Sequence, residues 1–391
     1  MWCSRDSFCQ ETEVFIPVTN SIMKRILYIT AFVPSEFTAG EKNTKTMLNE
    51  LGNSYAVDLV YFKYGHEEDY IPDSKNVSVK AVFANSLLIK LVNILLFPFV
   101  YPLFSVRFNW VNLLRIQKLI DSNRYDAIVF NYSQTFLYAK FLKTSAPRLL
   151  YCHDVIAQRV ERSSNAILQY LCRKSEHYCL KVKHSSVYSV SGKDCDLIKR
   201  FYGIHADVAY LYIDQKSKDA MPSDIHPDSY AIMGNWKRKD NVDGFLWLNH
   251  NVFPLIKTKI TINVIGKFFP VDRITISNPL VHLNVCGFVD NPYPMIANSR
   301  ALIAPVFTGA GVKVKVLEAL ACGTPVVGTD VAFEGIVKND SMMLQFDDAN
   351  QCAEMMYANI PLEARRQNKQ SFISMYSQRS IPFYLQQIIG I

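Results

Sequence analysis

What the chain lacks narrows it first. None of its nine cysteines stands in a C-x-x-C pair and their number is odd, so neither a zinc site nor a disulfide framework is indicated, and a reducing cytosol is the default compartment. No arginine-lysine block with interleaved aromatics occurs. A net charge of +7 therefore does not make a nucleic-acid groove, and it suits a phosphorylated substrate or an acidic membrane face better. Neither a repeat of solenoid period nor a low-complexity tract is visible. The first residues, MWCSRDSFCQETEVFIPVTNSI, hold no apolar core of signal-peptide length and carry Asp6, Glu11 and Glu13, so they do not read as a secretion signal. Met23 stands directly before Lys24-Arg25 and the first clear strand, so residues 1–22 read as a tail or a misassigned start.

The one long apolar run is broken. SLLIKLVNILLFPFVYPLF, Ser86 to Phe104, has about the length that spans a bilayer, but Lys90, Asn93, Pro98 and Pro102 interrupt it. Two readings stay open: an amphipathic element on the first domain with one side toward an anionic membrane surface, served by Arg107, Arg115, Lys118 and Arg124, or a buried helix pair of the first core.

With 391 residues and 49% hydrophobic content the chain can fill two cores, and its length favours two domains. Strands are expected at Ile26–Ala31, Val57–Phe62, Val77–Val82, Asp126–Asn131 and Pro147–Cys152, then at Tyr230–Gly234, Ile260–Gly266 and Val281–Val285, alternating with helical or irregular stretches. Residues 215–229, polar and proline-bearing, read as a linker between domains at 23–214 and 230–391. Ser191 followed by Asp194 predicts a helix N-cap with a helix to Tyr202, in preference to a metal-holding Asp194-x-Asp196.

The most informative stretch is Ala301 to Gly335. Ala301–Val306 has the composition of a buried parallel strand, and the small-residue turn Thr308-Gly309-Ala310-Gly311 follows. Val312–Ala321 carries apolar residues at helical spacing, and Gly323-Thr324-Pro325 stops it before a further strand at Val326. The helix of this βαβ unit begins past the carboxyl end of a strand, where such sheets bind ligands. Lys313 and Lys315 lie in its first turn, although the macrodipole disfavours cations there by a few tenths of a kcal/mol each. A bound phosphate or diphosphate would compensate, held by free N–H groups, dipole and lysine. Glu318 stands roughly 7 to 10 Å further on, a distance that suits the hydroxyls of a ribose. Two solvated lysines and a surface glutamate remain the plain alternative for the pattern alone.

Gly309-x-Gly311-x-Lys313-x-Lys315-x-x-Glu318-Ala-x-Ala321-x-Gly323-x-Pro325-Val-Val resembles the donor-site signature of retaining glycosyltransferases of family 4. The resemblance implies the GT-B fold: two Rossmann-like, doubly wound α/β domains facing a central cleft, with the last helices crossing back onto the first domain. It implies that Glu318 binds the ribose of a nucleotide-sugar and that Gly309, Ala310, Gly311, Lys313 and Lys315 surround its diphosphate. Many members carry a glutamate near the sugar where this chain has Ala310, so the chain is closer to a branch with a glycine-alanine-glycine turn. Where relatives clamp the diphosphate with a glycine-arginine pair and a following lysine, this sequence has Gly234-Asn235 and Asp240; Lys237, Arg238 and Lys239 either substitute or are solvated. Gly287, Phe288 and Val289 would lie beside the base, although Phe288 could equally be core. His153 and Asp154, at the carboxyl end of a strand, would face the sugar as catalytic groups, whereas outside the resemblance a core histidine is the commoner reading. Gly40 would belong to the acceptor-side loop, or be a plain turn residue.

The activity implied is transfer of a sugar from a nucleotide-diphosphate sugar to a hydroxyl of a saccharide or lipid-linked saccharide, with retention. No cofactor and no metal ion are expected. The setting would be cell-surface polysaccharide or glycolipid synthesis, in the cytoplasm at the inner membrane face, and no nucleic-acid partner is expected. Rival readings are a nucleotide-sugar epimerase of the same fold and a non-catalytic nucleotide-sugar-binding protein.

Overall fold

The apolar runs pair as parallel strands in two separate sheets of a computed structural model that describes residues 23–64, 67–84, 86–161, 165–309 and 311–390. The tail at 1–22 and Ala310, both singled out above, lie outside the described residues. The first sheet contains β1 (Arg25–Thr30), β2 (Ala56–Lys63), β3 (Val77–Ala84), β4 (Ala127–Asn131), β5 (Arg148–Cys152), β6 (Ser185–Ser189) and β7 (Asp207–Val208), in the order β3-β2-β1-β4-β5-β6-β7. The second contains β8 (His226–Met233), β9 (Ile260–Ile265), β10 (Val281–Gly287), β11 (Ser299–Ala304), β12 (Val326–Gly328) and β13 (Met343–Gln345), in the order β10-β9-β8-β11-β12-β13.

Both orders reverse direction after the central strand, so each sheet has one switch point, between β1 and β4 in the first and between β8 and β11 in the second. Central strands such as β1 (RILYIT) and β4 (AIVFN) are covered on both faces, which is why they are apolar runs without alternation. One core cluster joins the domains, running from Tyr28 and Val129 through Leu211 and Ile213 to Ala231, Val316 and Leu320. The last two helices, Leu362–Ser377 and Ile381–Ile389, return to the first domain: the rings of Tyr210 and Tyr376 lie 4.3 Å apart, and the Tyr384 hydroxyl donates to the Val208 carbonyl at 3.0 Å.

Three local expectations meet the structure in different ways. Ser191 caps the Gly192–Tyr202 helix, its Oγ accepting from the Asp194 N–H at 3.1 Å, and Gly203 ends that helix at φ 65°. The helix expected from Val312 begins at Val314, because Gly311 at φ 77° and Lys313 at ψ 100° keep the turn extended for two residues more. The run from Ser86 forms a helix at Leu87–Leu96 whose one buried residue is Asn93, bonded to the Val106 carbonyl at 3.2 Å. Its leucines face outward, Leu88 being 71% and Leu95 78% exposed, so the reading of the run as a buried helix pair fails for this segment. Among the described residues no helix is long and apolar enough to cross a membrane.

Candidate active site

The switch point of the second sheet brings its glycine turn and the Gly234 loop together. Gly309 (φ 111°) and Gly311 (φ 77°) adopt backbone conformations that side chains strain, and they deliver the chain to the Val314–Ala321 helix with Lys313 as N-cap. No side chain caps that terminus, and the Val316 N–H already turns to the Lys313 carbonyl at 2.9 Å, so the terminus offers an anion the N–H groups of Val314 and Lys315. The two lysines diverge. Lys315 reaches the Gly234 loop, donating to Asn241 Oδ1 at 3.1 Å, while Asn241 Nδ2 donates to the Asn235 carbonyl at 2.9 Å. Burial pushes the Lys315 ammonium down to about 8, against the upward pull of Asp240. Lys313 folds back, donating to the Gly311 carbonyl at 2.6 Å, and lies 3.9 Å from Glu334.

A Cβ on Gly234 would lie 2.9 Å from the Asn241 side chain, so the glycine is required for this bridge. Lys239, expected at the diphosphate, pairs instead with Asp243 at 2.6 Å and is 88% exposed, because it opens a helix whose next turn offers that carboxylate. Phe288 is exposed with the Lys267 ammonium 4.5 Å from its ring centre, so it is not a core residue, while Gly287 at φ 65° turns the chain and Val289 packs inward.

On the facing domain His153 leaves the end of β5. Its Nε2 lies 2.7 Å from Asn131 Oδ1, and Asn131 Nδ2 is committed to Thr30 at 3.1 Å and Thr44 at 3.2 Å. The imidazole therefore carries its proton on Nε2 and keeps a lone pair on Nδ1. Burial lowers its pKa to about 3, so it is neutral at physiological pH. Tyr132 stacks on it at 3.9 Å with a backbone φ of 72°, a strained conformation costing about 1–3 kcal/mol that the surrounding packing must hold. Gly40 permits this arrangement: a Cβ there would sit 2.7 Å from the Tyr132 hydroxyl. Asp154 is turned to Arg159 at 3.3 Å, and burial raises its pKa.

The domains meet at the glycine turn. A Cβ on Gly311 would lie 3.9 Å from the His153 carbonyl, so the helix terminus and the His153 edge share one cleft. Ion pairs between described residues cross it. Lys42 reaches Glu318 at 2.8 Å and Asp214 at 3.3 Å, and Lys193 meets Glu334. Tyr293 donates to Glu318 Oε1 at 2.7 Å. Lys42, Tyr293, Asn131 and Tyr132 were invisible to sequence reasoning; only the nearness of Lys42 to Gly40 hinted at a role. Among the described residues no group of three or more His, Cys, Asp or Glu side chains is arranged to hold a metal ion.

Two doubly wound domains facing a cleft define the GT-B class. Solved structures similar over most of the chain share that fold. Anabaena HepE in complex with UDP and glucose matches at 13% identity and TM-score 0.59, over 93% of this chain and 98% of that one. Sucrose-phosphate synthase from Thermosynechococcus elongatus matches at 13% identity and TM-score 0.63, over 94% of this chain and all of the other. WaaG, a glycosyltransferase involved in lipopolysaccharide biosynthesis, matches at 13% identity and TM-score 0.55, over 93% of this chain and all of that one. Residues 228–359, most of the second domain, match the family model described as Glycosyl transferases group 1. No curated protein sequence matches the chain.

Proposed function

We propose that the chain is a glycosyltransferase that moves a sugar from a nucleotide-diphosphate sugar to a hydroxyl of a saccharide or lipid-linked saccharide, with retention of configuration. The observation that carries this reading is the uncapped helix terminus at Lys313, with Lys315 drawn behind it to Asn241, set across a cleft from His153. The sugar C1–O bond to the diphosphate breaks, and negative charge grows on the leaving phosphate. Helix N–H groups and the Lys315 ammonium meet that charge in place, so the proposal includes no metal ion. The acceptor oxygen bonds to C1 on the face the diphosphate leaves, and its proton passes to a phosphate oxygen. His153, neutral and fixed by Asn131 and Tyr132, offers Nδ1 to a sugar hydroxyl as an orienting acceptor. Glu318 takes the ribose hydroxyls, and Phe288 flanks the base.

The match of residues 228–359 to glycosyl transferases group 1, and similar folds solved with UDP-glucose and UDP-2-fluoro glucose, support a nucleotide-sugar donor. Incubation with UDP-, GDP- and ADP-sugars and an oligosaccharide acceptor, with the product's anomeric configuration read by NMR, tests the reading. Donor turnover to an inverted product removes the retaining mechanism, donor epimerisation without transfer favours an epimerase, and binding without turnover favours a binding protein.

The setting is the cytoplasmic membrane face, in polysaccharide or glycolipid synthesis. Support comes from the outward leucines of the Leu87–Leu96 helix together with exposed Phe99, Trp110, Val111 and Leu114. The purified protein is expected to bind anionic vesicles and to release at high salt. Absence of binding to anionic and neutral vesicles alike removes the membrane role.

A further inference from the structure

Glu318 is engaged from the wrong side of the cleft. The carboxylate belongs to the second domain, yet the first domain's Lys42 bonds it at 2.8 Å, from a helix that begins at Ala39 beside the His153 edge. Both Lys42 and Tyr293 bond the same oxygen, Oε1, and Lys42 also lies 3.3 Å from Asp214 where the chain leaves the first domain. Glu318 is 6% exposed. The space beside it, between Lys42, Asn43, Thr46, Asp214, Leu317 and Glu318, is a cavity of about 10 Å³, room for one water and not for a ribose.

A lysine and a diol cannot both fill that space. We infer that Lys42 is a residue of the donor site contributed by the opposite domain, whose ammonium competes with the ribose hydroxyls for Glu318 and must swing away as the nucleotide enters. The inference rests on the reading of Glu318 as the ribose acceptor. Lys42 acts through Glu318, so it is a positioning residue. Its side chain suits the role, since four methylenes let the charge retreat to solvent without moving the helix. The second crossing pair, Lys193 with Glu334, holds the same two domains together away from Glu318, which separates a competitor at the ribose from a general closure device.

Isothermal titration of UDP, GDP and ADP into the full chain tests this. For a nucleotide that binds the wild type, Lys42→Met is expected to bind about tenfold tighter, because the fraction of protein with Glu318 accessible rises. Lys42→Arg keeps the charge and is expected to restore the wild-type constant, and Lys193→Met is expected to leave it unchanged. Should Lys42→Met fail to fold by thermal melting, Lys42→Gln carries the same expected gain. Unchanged or weaker binding in the uncharged variant overturns the inference, as does an equal gain in Lys193→Met. Glu318→Ala separates the two readings: wild-type affinity there removes the ribose assignment itself, whereas lost affinity there without a gain in Lys42→Met removes only the competition. Binding of none of the three nucleotides to any variant overturns both.

Discussion

The two domains have the same strand order about the central strand, and they carry their chemistry in opposite ways. The second centres it on one segment, from the Gly309 turn through Lys315 to Glu318, against which the Gly234 loop and Tyr293 are packed. The first assembles it from three places: Gly40 and Lys42 on one helix, Asn131 and Tyr132 at the end of β4, and His153 after β5. A site on one helix terminus is set by local backbone conformation. A site on three strand ends is set by the order of the sheet. Substitutions in the second domain should therefore strike nucleotide binding directly, and those in the first should strike turnover or stability through packing.

The largest effect is expected at Lys315. Loss of a charged donor to phosphate costs about 1.5–3 kcal/mol, so Lys315→Ala should lower kcat/KM by roughly 10- to 150-fold, with weaker nucleotide binding. Lys313→Ala should cost less, because Lys313 already spends its ammonium on the Gly311 carbonyl. With the free ammonium held at about 8 by burial, bound diphosphate raises its pKa, so nucleotide affinity is constant below that pH and falls above it; in Lys315→Ala the fall disappears. Kinetics and titrations on the two single variants decide the ranking, and a Lys315 variant with wild-type kcat/KM breaks the assignment.

Glu318→Ala comes next. It removes a charged acceptor for the ribose, worth about 1.5–3 kcal/mol, and it also leaves Lys42 without its nearer carboxylate. Nucleotide affinity should fall at the lower end of that range, since the variant also abolishes competition by Lys42. Circular dichroism should show the fold retained, and an unchanged titration would take Glu318 out of the site.

The same contrast explains what the sequence made legible. The glycine turn, the helix and its stop at Gly323 were readable because positive φ, helical spacing and a terminating glycine are local signals, and the turn's two glycines do stand at positive φ. The alternation of apolar runs sufficed for two parallel sheets. The helix start was misplaced by two residues, since nothing local distinguishes Lys313 in the extended cap from Lys313 in the first turn. The pairing of Lys42 with Glu318 spans 276 positions and has no local trace at all. Tyr132 gave no sign of its left-handed backbone, because contacts distant in sequence, with Phe32, His153 and the Tyr151 carbonyl, help to sustain it. The outward leucines of Leu87–Leu96 reversed the usual sense of a hydrophobic run, which composition cannot reveal.

A smaller effect, confined to the first domain, is expected from Gly40→Ala. The added methyl would sit 2.7 Å from the Tyr132 hydroxyl, so the ring must shift and carry the stacked imidazole with it. A displacement of a few tenths of an ångström at an orienting group should lower kcat by about tenfold while nucleotide affinity stays at the wild-type value. An equal loss in both quantities would blur the division of labour between the domains.

The smallest effect is on stability, and it falls on His153. Its pKa is lowered from 6.5 to about 3 by burial, so between those values the unfolded chain binds a proton that the folded chain does not. Stability therefore rises with pH across that window and is lost as pH falls through it. The limiting slope is about 1.4 kcal/mol per pH unit, and for a ring still partly open to solvent about 1 kcal/mol per unit is expected. His153→Gln keeps an amide donor for Asn131 and has nothing to titrate, so the difference in unfolding free energy between variant and wild type should shift in the variant's favour as pH is lowered from 6.5 to 5. Denaturant titrations at several pH values measure it. A difference independent of pH would mean that the imidazole is as free to protonate in the fold as outside it, and the neutral Nε2–H form assigned from Asn131 would fall with it.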